Sequence, residues 1–174
     1  MNDIQPKPRA AFSYRNDPAV PHFDEGHWHV VMDDRCGLCA RAARRIAHLD
    51  KGDQIRIAPV RSNLGQSLMR HYGLNPDDPQ SWLLIQDGKA FGGLEAMLEL
   101  FPSLSVRYKP IRILWLLPAP WRARLYTLVA RSRYRWFGEA DLCAMPDADV
   151  QARLLPAQDR PAVATDPNRM SHSG

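Results

Sequence analysis

The sequence predicts a single α/β domain with a C-terminal helical extension. Three observations predict this class. Apolar runs with strand and helix periodicities follow one another in the order β-α-β-α-β-β-α. The chain has 174 residues, of which 45% are hydrophobic, and this is enough to build one core. Two apolar and basic stretches after the last of these elements predict the helical extension.

The first strand and helix of this order enclose a pair of cysteines. Residues 29–32, "HVVM", are apolar and mostly β-branched, which is typical of a buried strand. A helix is predicted to begin near Cys36, where Asp33 or Asp34 would cap it. The apolar residues of this helix recur at spacings of four, four and three, at Leu38, Ala42, Ile46 and Leu49.

The middle of the chain continues the alternation of strands and helices. Ser62 is placed to cap a second helix, with a stripe of Leu64, Leu68 and Tyr72, and Gly73 to end it. Asp87-Gly88 is a strong signal for a hairpin turn. The remaining strands are predicted at residues 54–60, 81–85 and 89–91.

The last third of the chain is predicted to be helical. Leu94, Leu98 and Phe101 form the face of one helix, and Pro102 is expected to stop it. Two more helices are predicted at residues 104–117 and 120–135. Residues 1–26 and 156–174 are rich in Pro and polar residues and show no periodicity, so we expect flexible tails around a domain of residues 27–155.

Cys36 and Cys39 would lie in the first turn of their helix. Residues three apart share one helix face, so the two sulfurs can close a disulfide with little backbone movement. The positive end of the helix dipole stabilises a thiolate, which predicts a Cys36 pKa below the usual value of about 8.5. Arg35 would strengthen this effect, whereas Asp33 and Asp34 would oppose it.

These positions suggest roles for the residues of the motif. Cys36, closer to the helix start and to solvent, is expected to attack, and Cys39 to resolve the mixed disulfide. Gly37 would let a substrate backbone approach, and Leu38 would offer it an apolar contact. Two alternatives remain, namely two inert thiols or half of a zinc site. The further zinc ligands would have to come from Cys143 and a histidine such as His48 or His71.

The motif also resembles that of a known family. "VVMDDRCGLC" is similar to the DxxCxxC opening of the DCC family of thiol-disulfide oxidoreductases, with Asp33, Cys36 and Cys39 at its three positions. Residues 130–138, "ARSRYRWFG", resemble the Arg/Tyr-rich stretch near the end of that family. The resemblance implies a thioredoxin-like fold and dithiol-disulfide exchange with protein or small-molecule thiols. It also implies that Arg131, Arg133 and Tyr134 approach the dithiol and stabilise the thiolate.

From the motif and the resemblance we expect the protein to be a thiol-disulfide oxidoreductase. We expect no organic cofactor and no metal ion, because the two thiols would carry the electrons. The alternative is a non-enzymatic thioredoxin-like module that docks a protein partner or an anionic membrane surface through its basic helices. The first twenty residues lack an apolar segment, and no run of eighteen apolar residues follows, so we expect a cytoplasmic protein, with membrane association as a second possibility.

The charge is concentrated in the predicted C-terminal helices. Between Leu100 and Gly138 there are eight basic residues and no acidic one, although the net charge of the chain is only +4. In one interpretation these helices bury Leu114, Leu117, Trp121, Leu125 and Leu128 against the core and leave their arginines in solvent. A membrane surface or a nucleic acid would be the alternative partner, and no nucleic-acid motif supports the latter.

Overall fold

The structure is a computed structural model that describes residues 5–142, 144 and 146–155. It contains one four-stranded sheet with α-helices on both faces. The strands are β1 (Trp28–Met32), β2 (Ile55–Pro59), β3 (Leu83–Gln86) and β4 (Lys89–Gly92). The α-helices are α1 (Gly37–Leu49), α2 (Asn63–His71), α3 (Gly93–Leu104), α4 (Ala119–Phe137) and α5 (Ala148–Arg153). Two 3-10 helices, Ser13–Asn16 and Val106–Leu116, complete the set.

The sheet has the strand order β2-β1-β3-β4. β1 is parallel to β2 and antiparallel to β3, so Val30 lies between Ile57 and Leu84 in the register. β3 and β4 form the hairpin that Asp87-Gly88 predicts, and both turn residues have positive φ. The predicted thioredoxin-like α/β fold is confirmed, and α4 and α5 supply its C-terminal helical extension.

Each face of the sheet covers a separate hydrophobic core. Val30 and Met32 contribute to a first core with α1 and α3, whereas Val31 contributes to a second core with α2. Because β1 is buried on both faces, Val30, Val31 and Met32 form an unbroken apolar run along it. Cys36 and Cys39 belong to the first core, so the dithiol lies inside the domain.

The N-terminal segment differs from the predicted flexible tail. Tyr14 is only 4% exposed, and Phe12 and Phe23 pack beside it against the second core. The His71 ring binds both Asp17, at 2.6 Å, and the Ser13 hydroxyl, at 3.0 Å. These aromatic residues have no helix or strand spacing, so the pattern could not indicate their burial. The predicted tail at residues 156–174 lies outside the described residues.

The C-terminal region corrects three predictions. The stretch predicted as a helix at 104–117 is a 3-10 helix without a buried residue, and it contains Pro110. Of the apolar side chains expected to be buried in the core, Leu117, Trp121, Leu125 and Leu128 lie instead at the surface, with Trp121 60% and Leu128 59% exposed. α3 also continues past Pro102 to Leu104. None of the described helices has the length and apolar content needed to cross a bilayer.

The short helix α5 was not predicted from the sequence. Its Arg153 donates from Nε to the buried Asp50 carboxylate at 3.0 Å. The backbone N–H of Leu155 then donates to the carbonyl of Ile57 at 3.0 Å, beside β2. With only six residues, this helix shows no clear apolar period, and its position depends on these distant contacts.

Candidate active site

The two cysteines occupy the junction of β1 and α1. Cys36 is the N-cap residue of α1 in extended conformation, and Cys39 lies in the first turn. Neither Asp33 nor Asp34 caps this helix, which corrects the prediction. The backbone N–H groups of Leu38 and Cys39 instead interact with the Cys36 sulfur. The unpaired donors of the helix start therefore serve a thiol rather than a carboxylate.

The two thiols have opposite pKa shifts. A hydrogen bond from the Cys39 thiol lowers the pKa of Cys36 to about 6, assisted by the helix N–H groups and by the charge of Arg133. The same hydrogen bond and its burial raise the pKa of Cys39. Both cysteines are free, and at neutral pH the arrangement is a Cys36 thiolate that accepts a hydrogen bond from the Cys39 thiol.

The dithiol is covered by the protein itself. Cys36 is 0% exposed and Cys39 is 1% exposed, so the prediction that Cys36 faces solvent is wrong. Residues 138–142, called the covering segment here, run antiparallel to residues 34–36, with Glu139 opposite Cys36. The covering segment donates from Ala140 N–H to the Arg35 carbonyl at 2.9 Å and from Leu142 N–H to the Asp34 carbonyl at 2.8 Å.

Two glycines allow this close cover. Gly138 has a φ of +67°, which turns the chain from the end of α4 back across the dithiol. A Cβ on Gly37 would lie 2.4 Å from the Phe137 carbonyl oxygen. The space that Gly37 was expected to offer to a substrate is thus filled by the backbone of α4. Leu38, the expected apolar contact for a substrate, packs against the first core.

Asp33 joins the dithiol loop to α4. One carboxylate oxygen accepts from the Arg35 backbone N–H at 3.0 Å, and the other from Arg133 Nη2 at 2.9 Å. The Tyr134 hydroxyl donates to this second oxygen as well. Burial, followed by this hydrogen bond, raises the pKa of Tyr134, so the phenol remains a donor at neutral pH. Asp33 therefore fixes the loop before Cys36 and holds two side chains of α4.

Arg133 is the basic residue whose positive charge lowers the pKa of Cys36. Its side chain is only 5% exposed, and it also donates to the Pro79 carbonyl. Burial would lower the pKa of Arg133, but the electrostatic effect of the cysteine pair and of Asp33 outweighs burial and raises it. Its Nε has no hydrogen-bond partner among the described residues. A buried cation with a free N–H therefore lies in the electrostatic field of the dithiol.

Arg35 and Arg131 lie elsewhere. Arg35 is exposed, and its contacts with the motif are made by its backbone. Arg131 is exposed on α4, where it lines a shallow groove with Thr127 and Leu128. Of the three residues of α4 that the resemblance implied, Arg133 and Tyr134 reach the site through Asp33, whereas Arg131 does not. A helix turn of 3.6 residues explains why Arg131 lies on another side of α4.

Several residues of the site were missed from the sequence. Trp82 donates from Nε1 to the Cys39 sulfur at 3.3 Å, and its own backbone N–H donates to the Tyr126 hydroxyl at 3.2 Å. Asp34 is held by Arg61, whose Nε lies 2.9 Å from Oδ2. The position of Trp82 inside the strand predicted at residues 81–85 was the one available signal, and it indicated burial without naming Cys39 as a partner. Arg61 and the covering segment gave none, because their contacts are distant along the chain.

The described residues contain no group of three or more His, Cys, Asp and Glu that could hold a metal ion. His71, one histidine considered for a zinc site, is held by Asp17 and Ser13 on the other face of the sheet. Cys143 lies outside the described residues, so its predicted roles are not addressed by the structure.

Comparison with known proteins identifies the family of the chain. The chain is 30% identical to the uncharacterized protein YuxK of Bacillus subtilis (strain 168) over 127 residues. The aligned region covers 73% of this chain and 93% of YuxK. It is 27% identical over 117 residues to the chloroplastic DCC family protein At1g52590 of Arabidopsis thaliana, covering 67% of this chain and 68% of that protein. No solved structure matches the chain. Residues 30–139, from β1 to the covering segment, match the family model described as DCC1-like thiol-disulfide oxidoreductase. The chain belongs to the DCC1-like thiol-disulfide oxidoreductase family.

Proposed function

We propose that this protein is a thiol-disulfide oxidoreductase in which Cys36 attacks and Cys39 resolves. The observation that carries this proposal is the hydrogen-bonded pair of free thiols at the start of α1, an arrangement that lowers the pKa of Cys36 and raises that of Cys39. A thiol with a pKa of about 6 is mostly thiolate at pH 7, and the thiolate is the attacking form. Inert buried thiols would instead have raised pKa values, since burial disfavours the charged form.

The first step forms a mixed disulfide. The Cys36 thiolate attacks one sulfur of a substrate disulfide, the substrate S–S bond breaks, and the other substrate sulfur leaves as a thiolate. Formation of this bond removes the negative charge of Cys36. The positive charge of Arg133 favours the thiolate before attack. After attack, Arg133 is still paired with the Asp33 carboxylate, 2.9 Å from its Nη2.

The second step releases the substrate. Once Cys36 is in a mixed disulfide, the hydrogen bond and charge that raise the Cys39 pKa are gone. Cys39 then attacks the Cys36 sulfur, the Cys36–substrate S–S bond breaks, and the proton of Cys39 passes to the departing substrate thiolate; this forms the Cys36–Cys39 disulfide and frees the second substrate thiol. The donor Trp82 Nε1, 3.3 Å from the Cys39 sulfur, stabilises the thiolate of this step. Two electrons pass from the dithiol to the substrate disulfide.

Exchange also requires access to the covered Cys36. The covering segment is held to residues 34–36 by backbone hydrogen bonds, so its displacement exposes unpaired N–H and C=O groups beside Cys36. An extended substrate peptide can pair with such an edge by adding a strand. We infer that substrate entry replaces the covering segment along this edge, which makes opening of this segment part of the reaction.

Trapping of the mixed disulfide tests this function. With a peptide disulfide as substrate, Cys39→Ser should accumulate a covalent adduct on Cys36, because attack proceeds and resolution does not. Cys36→Ser should form no adduct and have no exchange activity. Cys143→Ser is the matched control and should exchange at the wild-type rate. Mass spectrometry of the adduct identifies the attacking sulfur. Activity that persists in Cys36→Ser, or an adduct on Cys39 in the wild type, would overturn the assignment.

A further inference from the structure

One surface of the protein combines exposed apolar and basic side chains. It is formed by the 3-10 helix Val106–Leu116 and the outer side of α4, and is called the outer surface here. Trp121, Leu125 and Leu128 recur on one side of α4 at helical spacing, and Leu116 is 82% exposed in the 3-10 helix. The other large exposed hydrophobic residues there are Val106, Ile113, Trp115, Leu117 and Trp136.

A helix of a soluble domain usually buries its aliphatic residues and exposes its charged ones, and α4 shows the reverse distribution. The buried residues of α4 are Tyr126 and Arg133, which serve the active site, whereas its large aliphatic residues face outward. The 3-10 helix has no buried residue at all over eleven positions, although runs of this helix longer than three or four residues are uncommon. Contiguous exposed apolar surface of this kind indicates a partner.

The charge of the outer surface identifies the chemistry of that partner. Arg124, Arg131 and Arg135 flank the apolar stripe of α4 and form no ion pair with the acidic residues that the structure describes. Arg107 and Lys109 add two exposed positive charges from the 3-10 helix. No acidic residue occurs from Leu100 to Gly138 to neutralise them. A partner must therefore be negative where it meets the arginines and apolar where it meets the stripe.

We propose that the outer surface docks the protein on an anionic lipid bilayer, in the plane of the headgroups. A bilayer offers negative headgroups beside an apolar interior, which matches a basic helix with Trp and Leu on the adjoining side. Trp121 and Trp136 lie near the two ends of the outer stripe, and tryptophan prefers the headgroup level because its ring is apolar with a polar N–H. A second copy would bring two basic surfaces together, which charge repulsion opposes.

The docked arrangement leaves the dithiol side of α4 free of lipid contact. Arg133 and Tyr134 bind Asp33 from the inner side of α4, while the lipid-facing residues occupy another side. The covering segment begins directly after α4 at Gly138. The membrane would thus hold the protein by one side of α4 without occupying the site built on the other, so docking does not depend on the redox function.

Vesicle co-sedimentation tests this proposal. The full chain should bind vesicles of phosphatidylcholine with phosphatidylglycerol and should not bind phosphatidylcholine alone. Raising the salt from about 0.1 M to about 1 M shortens the Debye length from about 10 Å to about 3 Å and should release most of the protein. Arg131→Gln should weaken binding about fivefold, since each basic residue near an anionic surface contributes on the order of a factor of five.

Matched variants separate charge, apolar contact and folding. Arg70→Gln removes the same charge from an exposed position on α2 and should leave binding unchanged. The double variant Trp121→Ser, Leu128→Ser keeps every arginine and should weaken binding about tenfold or more, because the apolar insertion is lost. All variants should keep the wild-type circular dichroism spectrum and the wild-type alkylation rate of Cys36, which shows that the fold is intact.

Three results would overturn the proposal. The first is failure of the folded wild type to bind anionic vesicles at low salt. The second is equal binding to phosphatidylcholine alone. The third is that another partner occupies the same surface. This would be seen without vesicle binding, either as a dimer in sedimentation equilibrium or as retention of duplex DNA. In both cases the interaction would be lost in the Trp121→Ser, Leu128→Ser variant. A redox-inactive Cys36→Ser protein should still bind vesicles, so failure of the proposed function is distinguishable from failure of docking.

Discussion

Two adjacent carboxylates, Asp33 and Asp34, each pair with an arginine, yet the two pairs differ in burial. In the Asp33–Arg133 pair both side chains are nearly inaccessible, 7% and 5% exposed. In the Asp34–Arg61 pair the carboxylate is 6% exposed, but the guanidinium is 46% exposed. The first pair lies in the field of the thiols, whereas the second lies at the surface. The comparison teaches that burial, rather than the presence of an ion pair, decides which arginine influences Cys36.

Arg133→Met should have the largest effect. Removal of one partner leaves the buried Asp33 carboxylate without its cation, which should cost about 3–5 kcal/mol in the free energy of unfolding. Loss of the positive charge should also raise the pKa of Cys36, because Arg133 is one of the groups that lower it. Urea unfolding measures the first effect and pH-dependent alkylation of Cys36 the second. An unchanged Cys36 pKa in a folded variant would show that Arg133 is structural only.

Gly138→Ala sharpens the comparison by disturbing the covering segment alone. Gly138 has φ +67° and ψ −170°, a conformation that costs other residues about 1–3 kcal/mol. The covering segment should therefore open more often, and alkylation of the Cys36 thiolate should accelerate about tenfold at a pH where it is fully ionised. Gly73→Ala, which also places a side chain at a positive φ, +72°, but beyond α2, is the control and should leave the rate unchanged. Equal rates in both variants and the wild type would mean that the covering segment does not limit access.

Arg61→Met should have the smallest effect of the three substitutions. The half-exposed guanidinium contributes less because water screens its charge, so we expect a loss of about 1 kcal/mol in the free energy of unfolding. The pKa of Cys36 should stay at its wild-type value. Urea unfolding and alkylation in parallel with Arg133→Met give the direct contrast. A larger shift of the Cys36 pKa in Arg61→Met than in Arg133→Met would reverse the interpretation of the two pairs.

The low pKa of Cys36 also predicts a pH dependence of stability. The folded value of about 6 lies below the value of about 8.5 for a free thiol, so folding favours the thiolate. Stability from this group is present above the unfolded pKa and is lost as pH falls through the folded one. The reduced protein should therefore become more stable relative to Cys36→Ser between about pH 6 and about pH 8.5. Thermal unfolding of both proteins across this range checks the sign.

The sequence predicted the fold better than the surroundings of the dithiol. Strand and helix periods located the elements of the sheet, because Val30, Ile57 and Leu84 are buried by local and repetitive patterns. The position of α4 was predicted within two residues, but its orientation was wrong, since Trp121 and Leu128 face outward. Periodicity identifies an apolar side of a helix but does not identify what covers it.

The candidate site was also predicted only in part. The CxxC spacing and the helix start predicted two neighbouring thiols at the start of α1, and the resemblance placed Arg133 and Tyr134 near them. The covered state of Cys36 could not be predicted, because residues 138–142 reach the motif by backbone hydrogen bonds that carry no side-chain signal. Trp82 and Arg61 likewise depend on contacts between distant parts of the chain.

The pKa of Cys36 in the reduced wild-type fold is the most direct test of the account. It is best measured by the ultraviolet absorbance of the thiolate during a pH titration of a Cys143→Ser protein, in which Cys36 and Cys39 are the remaining thiols. We predict one ionisation at about pH 6, with the second thiol still protonated at neutral pH. A first ionisation near the free-thiol value of about 8.5 would contradict the account.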